Sequence, residues 1–283
     1  MAEKKSQNRK RVPLSEISPE KKANDLNGRD WTKYSLSVWR DIKWSAEERA
    51  LKHPAMFPIM LAERLIKCFT KSTELEILDP FMGSGSALIA AHNLDRHGIG
   101  FDVYDKYIRL AKSRFNQASL FGEDKRDPTF VHADSRKVAE RLGKECIDFC
   151  LTSPPYWNIL KQKRTADSKE IRNYGDDESD LGTIDDYNGF IDSLAEVFSG
   201  VFDVLRPKKY CAVNVMDLRK QDQFFPIHCD LAKRLERIGF IFDDIIIWDR
   251  RDDYNNLRSL GYPYVFRINK IHEYILVFKK PTS

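Results

Sequence analysis

This chain has few of the features that mark secreted, zinc-binding or membrane-spanning proteins. Only five of its 283 residues are cysteines. Most of them lie in apolar segments, which is typical of reduced thiols in a cytoplasmic protein. No Cys/His pair at zinc spacing follows Cys146 and Cys150, so we predict no metal site. No apolar run approaches the roughly 20 residues that span a bilayer, and the first residues lack the apolar segment of a secretory signal.

Neither sign of charge is in large excess. The chain has 47 Lys and Arg against 43 Asp and Glu, a formal net charge of +4, which by itself does not indicate a nucleic-acid partner. The basic residues are concentrated at the start, where positions 1–22 carry seven Lys or Arg against three Glu. We expect residues 1–30 to form a basic, flexible arm, either a solvated tail or a segment that contacts phosphates.

From residue 75 onward, short apolar runs alternate with segments of helical spacing. Strands are predicted at 75–79, 98–102, 129–133, 147–152, 210–216, 241–248 and 274–278. Helices are predicted at 87–96, 106–121, 135–142, 187–205 and 230–238. This alternation predicts an α/β fold with a doubly wound, mostly parallel sheet of seven strands. Only a loop separates the last two strands, so we expect the last strand to be antiparallel.

The segment before residue 75 is less regular. Residues 31–39 are expected to be extended, and residues 45–71 to be helical. His53-Pro54 and Phe57-Pro58 interrupt that helical pattern, because proline removes a backbone donor and disfavours helix in the residue before it.

Two polar stretches, the first insert (residues 158–186) and the second insert (residues 249–272), interrupt the single domain predicted over residues 31–283. Residues 158–186 are rich in both charges, and their many acids argue against phosphate contact, so we expect a lid there. Residues 249–272 interleave arginines with aromatic rings, which suits phosphates, guanine edges and base stacking. A plain loop beside the last hairpin is the alternative. The candidate nucleic-acid contacts in this second stretch are Arg250, Arg251, Tyr254, Arg258, Tyr262 and Arg267.

A glycine-containing loop follows the first predicted strand of the alternation and precedes a helix. Gly83 and Gly85 allow a tight turn and close approach of the backbone to a ligand. The loop lacks both the third glycine of the dinucleotide fingerprint and the Gly-Lys-Ser/Thr of a P-loop. Asp102 and Asp134 end the next two strands, where an acid can accept hydrogen bonds from ribose hydroxyls. Each acid alone is compatible with a helix cap, but the set indicates a ligand site at the carboxyl edge of the sheet.

The tetrapeptide Ser153-Pro154-Pro155-Tyr156 directly follows another buried strand. Its prolines fix φ and remove backbone donors, which leaves nearby carbonyls free to accept hydrogen bonds. A hydroxyl, a carbonyl and an aromatic face together suit a planar base that carries an exocyclic amino group. By itself, such a peptide is more often a stiff turn.

Together these motifs resemble a known family. The segment Asp79–Gly85 resembles the S-adenosylmethionine loop of the amino-methyltransferases that modify DNA, and Ser153–Tyr156 resembles their catalytic tetrapeptide. His53-Pro54 resembles the segment before the loop, although the chain departs from the family's usual Thr-Gln-Lys-Pro at 55–58. Tyr274–Lys279 resembles the final strand. The resemblance runs from about residue 35 to 280 and implies the class I methyltransferase, Rossmann-like fold.

The resemblance also implies roles for individual residues. The cofactor S-adenosylmethionine would be contacted by His53, Pro54, Asp79, Phe81, Gly83, Gly85, Asp102 and Asp134. Among these, Asp102 would hold the ribose hydroxyls and Asp134 would lie near the adenine amino group. Ser153 Oγ and the Pro154 carbonyl would accept hydrogen bonds from the target amine. Tyr156, with Trp157, would stack on a base flipped out of the duplex.

The implied activity is methyl transfer to an exocyclic amine of double-stranded DNA. Serine at the first tetrapeptide position leans, in this family, towards N4 of cytosine, with N6 of adenine as the alternative. An RNA amino-methyltransferase and a catalytically inactive cofactor-binding subunit are the rival hypotheses. We expect a role in restriction-modification or epigenetic marking, with a cognate restriction endonuclease as a candidate partner. We also expect a monomer or homodimer with a cytoplasmic location and no membrane association.

Overall fold

The computed structural model describes residues 18, 21–51, 56–119, 125–158, 179–254, 257 and 259–282. An eight-stranded sheet lies at its centre. The strands are β1 (Val38–Trp39), β2 (Glu76–Asp79), β3 (His97–Asp102), β4 (Thr129–His132), β5 (Ile147–Thr152), β6 (Leu205–Val215), β9 (Ile241–Asp249) and β10 (His272–Lys279). A separate hairpin consists of β7 (Leu218–Lys220) and β8 (Gln223–Phe225).

Eight α-helices accompany these strands in the described part of the chain. They are α1 (Gly28–Tyr34), α2 (Ala46–Ala50), α3 (Ile59–Phe69), α4 (Ser86–Asn93), α5 (Asp105–Ser119), α6 (Val138–Arg141), α7 (Tyr187–Val204) and α8 (Ile227–Ile238). Local chemistry explains their starts. Asp186 caps α7 by accepting a hydrogen bond from the Gly189 amide at 2.6 Å, and Ser45 and Glu48 form a reciprocal capping box on α2.

The strand order is β1-β9-β10-β6-β5-β2-β3-β4. All neighbours run parallel except β10, which is antiparallel to both β6 and β9. From β2 the chain builds outward through β3 and β4, and then returns to place β5 on the other side of β2. The order therefore reverses between β2 and β5. In open α/β sheets, ligands bind at such a switch point, outside the carboxyl ends of the strands.

Hydrophobic clusters cover both faces of the sheet. Successive residues of β5 point into different clusters. Phe149 and Leu151 belong to the cluster that includes α3 and α4, and Cys150 belongs to the cluster that includes α7 and α8. This is the period-two geometry of a strand that is buried on both faces.

The predicted α/β, doubly wound, mostly parallel sheet and its antiparallel last strand are confirmed. Three details differ from the predictions. The short strand β1 adds an eighth strand beside β9. Residues 31–34, predicted to be extended, are helical in α1, because Asn27 caps that helix through the Asp30 amide at 2.9 Å. The β7–β8 hairpin was not predicted, since its three-residue strands are too short to show a period.

Part of the stretch predicted as a flexible arm, residues 1–30, packs on the domain. Asn24 is buried, and its Nδ2 donates to the Cys68 carbonyl at 2.7 Å. Residues 1–17, 19 and 20 of the proposed arm lie outside the described residues, as do residues 159–178 of the first insert. Within the described residues, no helix has the length and hydrophobicity to cross a membrane.

Candidate active site

The loop between β2 and α4 depends on two glycines in left-handed conformations. Gly83 has φ 51° and Gly85 has φ 81°, a region that costs other residues energy. Gly85 also lies directly against α5, where an added Cβ would come within 2.9 Å of the Ala111 Cβ. The loop can therefore reach this geometry only with glycine at the position that precedes α4.

Asp102 holds this loop against the end of β3. Its Oδ2 accepts a hydrogen bond from the Gly83 amide at 3.0 Å, and its Oδ1 accepts one from the Tyr104 amide at 2.8 Å. Burial raises the pKa of Asp102 to about 6; the two backbone donors oppose this shift, and the nearby charge of Asp180 adds to it. The carboxylate is thus fixed in position and keeps lone pairs for further donors.

Asp79 joins the glycine loop to β5, the strand that precedes the tetrapeptide. It is 1% exposed, and its Oδ1 accepts from the Thr152 hydroxyl at 2.6 Å and from the Phe81 amide at 3.0 Å. Its Oδ2 has no hydrogen-bond partner among the described residues. Burial raises its pKa to about 7. Asp79 does not line the pocket at the switch point. Its hydrogen bond from Thr152 ties β2 to β5 and so supports the site.

A pocket of about 610 Å³, partly open to solvent, lies at the switch point. Its lining comes from three strand ends, from the tetrapeptide and from the start of the segment before α7. The lining residues are Pro80, Phe81, Gly83, Phe101, Asp102, Val103, Tyr104, Tyr107, Asp134, Ser135, Ser153, Pro155, Ser179, Asp180 and Leu181. Of the predicted cofactor residues, Phe81, Gly83, Asp102 and Asp134 line it, and Gly85 shapes the loop behind it. His53 and Pro54 lie outside the described residues.

Asp134 lines the pocket and also forms an ion pair with Arg136. Burial disfavours its charged form, but hydrogen bonds from the Arg136 guanidinium, at 2.9 and 2.6 Å to Oδ2, outweigh burial and lower its pKa. It also caps a short 3₁₀ turn through the Arg136 amide. Asp134 therefore acts as a helix cap, which was the alternative interpretation of this acid, and also lines the pocket.

The tetrapeptide is held by a hydrogen-bond network that crosses the sheet. The Ser153 Oγ lies 3.2 Å from the Tyr156 hydroxyl. Tyr156 donates to Glu273 Oε2 at 2.8 Å, and Asn214 Nδ2 contacts the same oxygen at 2.5 Å. Arg250 pairs with the other oxygen of Glu273. These residues come from the ends of β5, β6, β9 and β10, so the sheet register brings them together.

Trp157 lies in the hydrophobic core, which differs from the predicted stacking position. It is 6% exposed, and its ring packs against Tyr187 and Phe225 with centroids 5.4 and 4.9 Å away. Its indole nitrogen donates to the Ile184 carbonyl at 2.9 Å. A ring that is buried and hydrogen-bonded in this way has no free face to offer a base, so Trp157 supports the tetrapeptide from within the core.

The candidate DNA contacts of the second insert separate into two kinds. Arg250 is turned inward, pairing with Glu273 and Asp253 and lying over the Trp248 ring at 4.8 Å, so it organises the site. Arg251, Tyr254 and Tyr262 are exposed. Arg267 is largely covered and pairs with Asp222 at 2.5 Å, and Arg258 lies outside the described residues.

The family of the chain is decided by comparison with known proteins. A family model described as "DNA methylase" matches residues 2–113 and 147–283, which together make up most of the chain. The chain belongs to this DNA methylase family. The two matched blocks contain the glycine loop, Asp102 and the tetrapeptide, the same elements that meet at the pocket.

Individual relatives in this family match over shorter stretches. The type II methyltransferase M2.LlaDCHI of Lactococcus lactis subsp. cremoris is 34% identical over 111 residues, covering 35% of this chain and 41% of the relative. The type II methyltransferase M.BglI of Bacillus subtilis is 33% identical over 128 residues, covering 42% and 34%. The matches thus span less than half the length of these curated relatives. The protein TTHA0409 of Thermus thermophilus, crystallised with S-adenosyl-L-methionine, is 28% identical over 53% of this chain and 54% of its own, with a TM-score of 0.39.

Four residues of the site were not predicted from the sequence. Tyr104 and Asp180 both line the pocket, and their side chains are joined by a 2.9 Å hydrogen bond. Glu273 and Asn214 support the tetrapeptide. Asn214 and Glu273 are polar residues within otherwise apolar strands, and a buried polar residue in such a position is the signal that would have found them. Asp180 is one of many acids in the first insert and has no comparable signal.

Proposed function

We propose that the chain is an S-adenosylmethionine-dependent DNA methyltransferase that modifies the exocyclic N4 of cytosine. The observation that carries this proposal is the convergence of two motifs on one cavity: Ser153 and Pro155 line the same pocket as Gly83 and Asp102. A group held by the glycine loop and a base held by the tetrapeptide would therefore meet across a single space, which is the requirement for direct transfer between them.

The residues that line the pocket have the chemistry that an adenosine-like molecule requires. Asp102 offers carboxylate oxygens to ribose hydroxyls, as an acid at the end of the second strand does in dinucleotide-binding sheets. Phe81, Phe101 and Val103 supply apolar walls for a flat ring. S-adenosylmethionine would supply a methyl group on a sulfonium, which is already activated for transfer. The chain's own task is to bind both partners, orient them and exclude water.

The tetrapeptide would hold the target amine. The lone pair of an aromatic amine is delocalised into the ring, so hydrogen bonds accepted from both amino hydrogens favour a pyramidal, more nucleophilic nitrogen. Ser153 Oγ and the Pro154 carbonyl are the acceptors we assign. Tyr156 offers a ring for stacking, an interaction worth about 1–3 kcal/mol per base.

The second insert supports a DNA partner. Tyr264 and Phe266 are 90% and 92% exposed, and Tyr262 is 80% exposed. Several highly exposed rings in one segment favour an interaction site, and the cations Arg251 and Lys270 in the same segment would suit a polyanion. Rings of this kind can stack on bases or wedge into a duplex from which the target base is flipped.

The choice of cytosine rests on the family tendency associated with serine at the first tetrapeptide position. N6 of adenine is the second candidate, because a hydroxyl can accept from either amine. The relatives named type II methyltransferases support a role in restriction-modification, with double-stranded DNA as substrate, a cognate endonuclease as partner and a cytoplasmic location as parts of the same proposal.

Mass spectrometry of nucleosides tests the proposal. Purified protein is incubated with unmethylated bacterial DNA and methyl-labelled S-adenosylmethionine, and the digested DNA is examined for N4-methylcytosine and N6-methyladenine. We expect labelled N4-methylcytosine. Labelled N6-methyladenine would move the assignment to adenine, and label found only in a parallel RNA reaction would contradict a DNA substrate.

A further inference from the structure

We infer that Glu273 is a positioning residue of the methyl-transfer site, which acts through Tyr156 to aim the lone pairs of Ser153 Oγ at the target amine. This inference rests on the proposed function and deepens it. Glu273 is far from Ser153 in the chain, and none of its atoms needs to touch substrate for this role.

The surroundings of Glu273 make it a hydrogen-bond acceptor. It is 2% exposed, and it receives hydrogen bonds from the Tyr156 hydroxyl at 2.8 Å, from Asn214 Nδ2 at 2.5 Å and from the Arg250 guanidinium. A buried carboxylate needs a compensating charge and satisfied lone pairs, and Arg250 with the two neutral donors provides both. An ionised carboxylate can only accept.

The direction of each hydrogen bond then follows along the chain of contacts. Because Glu273 can only accept, the single proton of Tyr156 points to it. Burial and the charge of Glu273 raise the pKa of Tyr156 well above its usual value, so the phenol keeps that proton. The Tyr156 oxygen is left as an acceptor for the Ser153 hydroxyl at 3.2 Å. With its only proton directed at Tyr156, the Ser153 oxygen presents lone pairs elsewhere.

Asn214 favours the same direction of hydrogen bonding, from Ser153 to Tyr156 to Glu273. Its Nδ2 lies 3.3 Å from the Tyr156 oxygen and 2.5 Å from Glu273. The side-chain amide cannot be turned over, because its Oδ1 would then face the carboxylate. A second donor therefore points at the phenol oxygen, which favours donation from Tyr156 to Glu273 and disfavours the reverse orientation of the network.

For catalysis, the network fixes the rotation of the Ser153 hydroxyl. A free hydroxyl can turn its proton toward an amine and then oppose the N–H groups it should bind. Anchoring that proton on Tyr156 makes Ser153 a fixed acceptor, an arrangement that need not reorganise when the amine arrives. The carboxyl ends of β5 and β6 and the facing ends of β9 and β10 hold all members of the network, so its geometry is set by the sheet.

A variant cycle tests the inference through kcat, with Tyr156→Phe and Glu273→Gln made singly and in the Ser153→Ala background. Tyr156→Phe keeps the stacking ring and the Glu273–Arg250 pair. Each single change should lower kcat at saturating DNA about 10-fold, the effect of one misdirected hydrogen bond, and should leave cofactor Kd and DNA KM within about 2-fold. In the Ser153→Ala background neither change should lower kcat further, because residues acting through one group are not additive.

Tyr187→Phe is the matched control. The Tyr187 hydroxyl donates to the Asp230 carboxylate at 2.8 Å, and neither residue lines the pocket. Its kcat should equal that of the unmodified protein. Base extrusion, reported by 2-aminopurine beside the target base, should be the same in all ring-retaining variants. Wild-type kcat in Tyr156→Phe, or equal losses with and without Ser153, would overturn the inference. If Glu273→Gln does not fold, Tyr156→Phe decides alone. An unmodified protein that methylates no DNA would instead overturn the proposed function and this inference with it.

Discussion

The carboxylate of Asp102 accepts a hydrogen bond from the backbone amide of Gly83 at 3.0 Å, across 19 positions of sequence. This bond links the end of β3 to the glycine loop that follows β2. The left-handed φ of Gly83 accompanies it. The acid that we propose for the cofactor ribose thus also holds the glycine loop in place.

Replacement of Asp102 should weaken cofactor binding. Asp102→Ala removes an acceptor for the ribose hydroxyls and releases the Gly83 amide; each hydrogen bond to a charged group is worth about 1.5–3 kcal/mol. We therefore expect S-adenosylmethionine to bind roughly 10- to 100-fold more weakly by isothermal titration calorimetry. Asp105→Ala is the control, because Asp105 is exposed and pairs with Arg109 on the surface of α5. Equal losses in the two variants would contradict the assignment.

Cofactor affinity should depend on pH with a defined sign. Burial raises the pKa of Asp102 to about 6, so the carboxylate protonates as the pH falls through that value and can then accept fewer hydrogen bonds. We expect the affinity for S-adenosylmethionine to be greatest above about pH 7 and to decline between about pH 7 and 5, one unit either side of that pKa. The decline should be reduced in Asp102→Asn, which does not titrate. A pH profile unchanged by this substitution would assign the dependence to another group.

Gly85→Ala should destabilise the protein. The substitution places a Cβ at φ 81° and within 2.9 Å of the Ala111 Cβ, and such strain costs about 1–3 kcal/mol. We expect a lower midpoint of thermal unfolding. Gly143→Ala is the matched control, since a Cβ there would meet no atom within 4 Å. Similar stability of the two variants would show that the loop can shift to accept a side chain.

Replacing the exposed rings of the second insert should lower DNA affinity without changing stability or cofactor binding. Tyr264→Ser and Phe266→Ser alter side chains that are 90% and 92% exposed, so thermal stability and cofactor Kd should stay the same. Loss of one stacking ring should weaken binding to a duplex by about 1–3 kcal/mol, as measured by fluorescence anisotropy. Ile241→Thr, at an exposed apolar residue at the opposite end of β9, should leave DNA affinity unchanged. Unaltered DNA affinity in the ring variants would remove this loop from the interface.

Ser153→Ala should separate chemistry from cofactor binding. The change removes one acceptor for the target amine but none of the contacts of Asp102 or Gly83. We expect kcat to fall about 10- to 100-fold, the cost of one hydrogen bond to a polarised group, with cofactor Kd within about 2-fold of the original. Single-turnover methylation and calorimetry provide the two numbers. A retained kcat would show that Ser153 is not an acceptor.

Much of the architecture could be predicted because local patterns and sheet geometry agree. Apolar runs separated by helices dictate a parallel sheet, and an acid or glycine at the end of each run must fall at the same edge. Asp102, Gly83 and Ser153 were placed at one site in this way, and all three line the pocket. The helix at 31–34 was missed because Trp31, Thr32 and Tyr34 favour strand, whereas the helix begins earlier, at Gly28 after its cap Asn27.

The sequence by itself determined the alternation of the main strands and helices from β2 onward, the glycine positions of the loop and the tetrapeptide that follows β5. Only the tertiary structure decided which side chains face the site. Trp157 and Arg250 are suited by type to contact DNA, yet one is buried among rings and the other is bound to Glu273. The physical reason is that burial and pairing depend on residues far away in the chain. Glu273 meets Tyr156 across 117 positions, because β6 lies between β5 and the antiparallel β10, and this register cannot be derived from either segment alone.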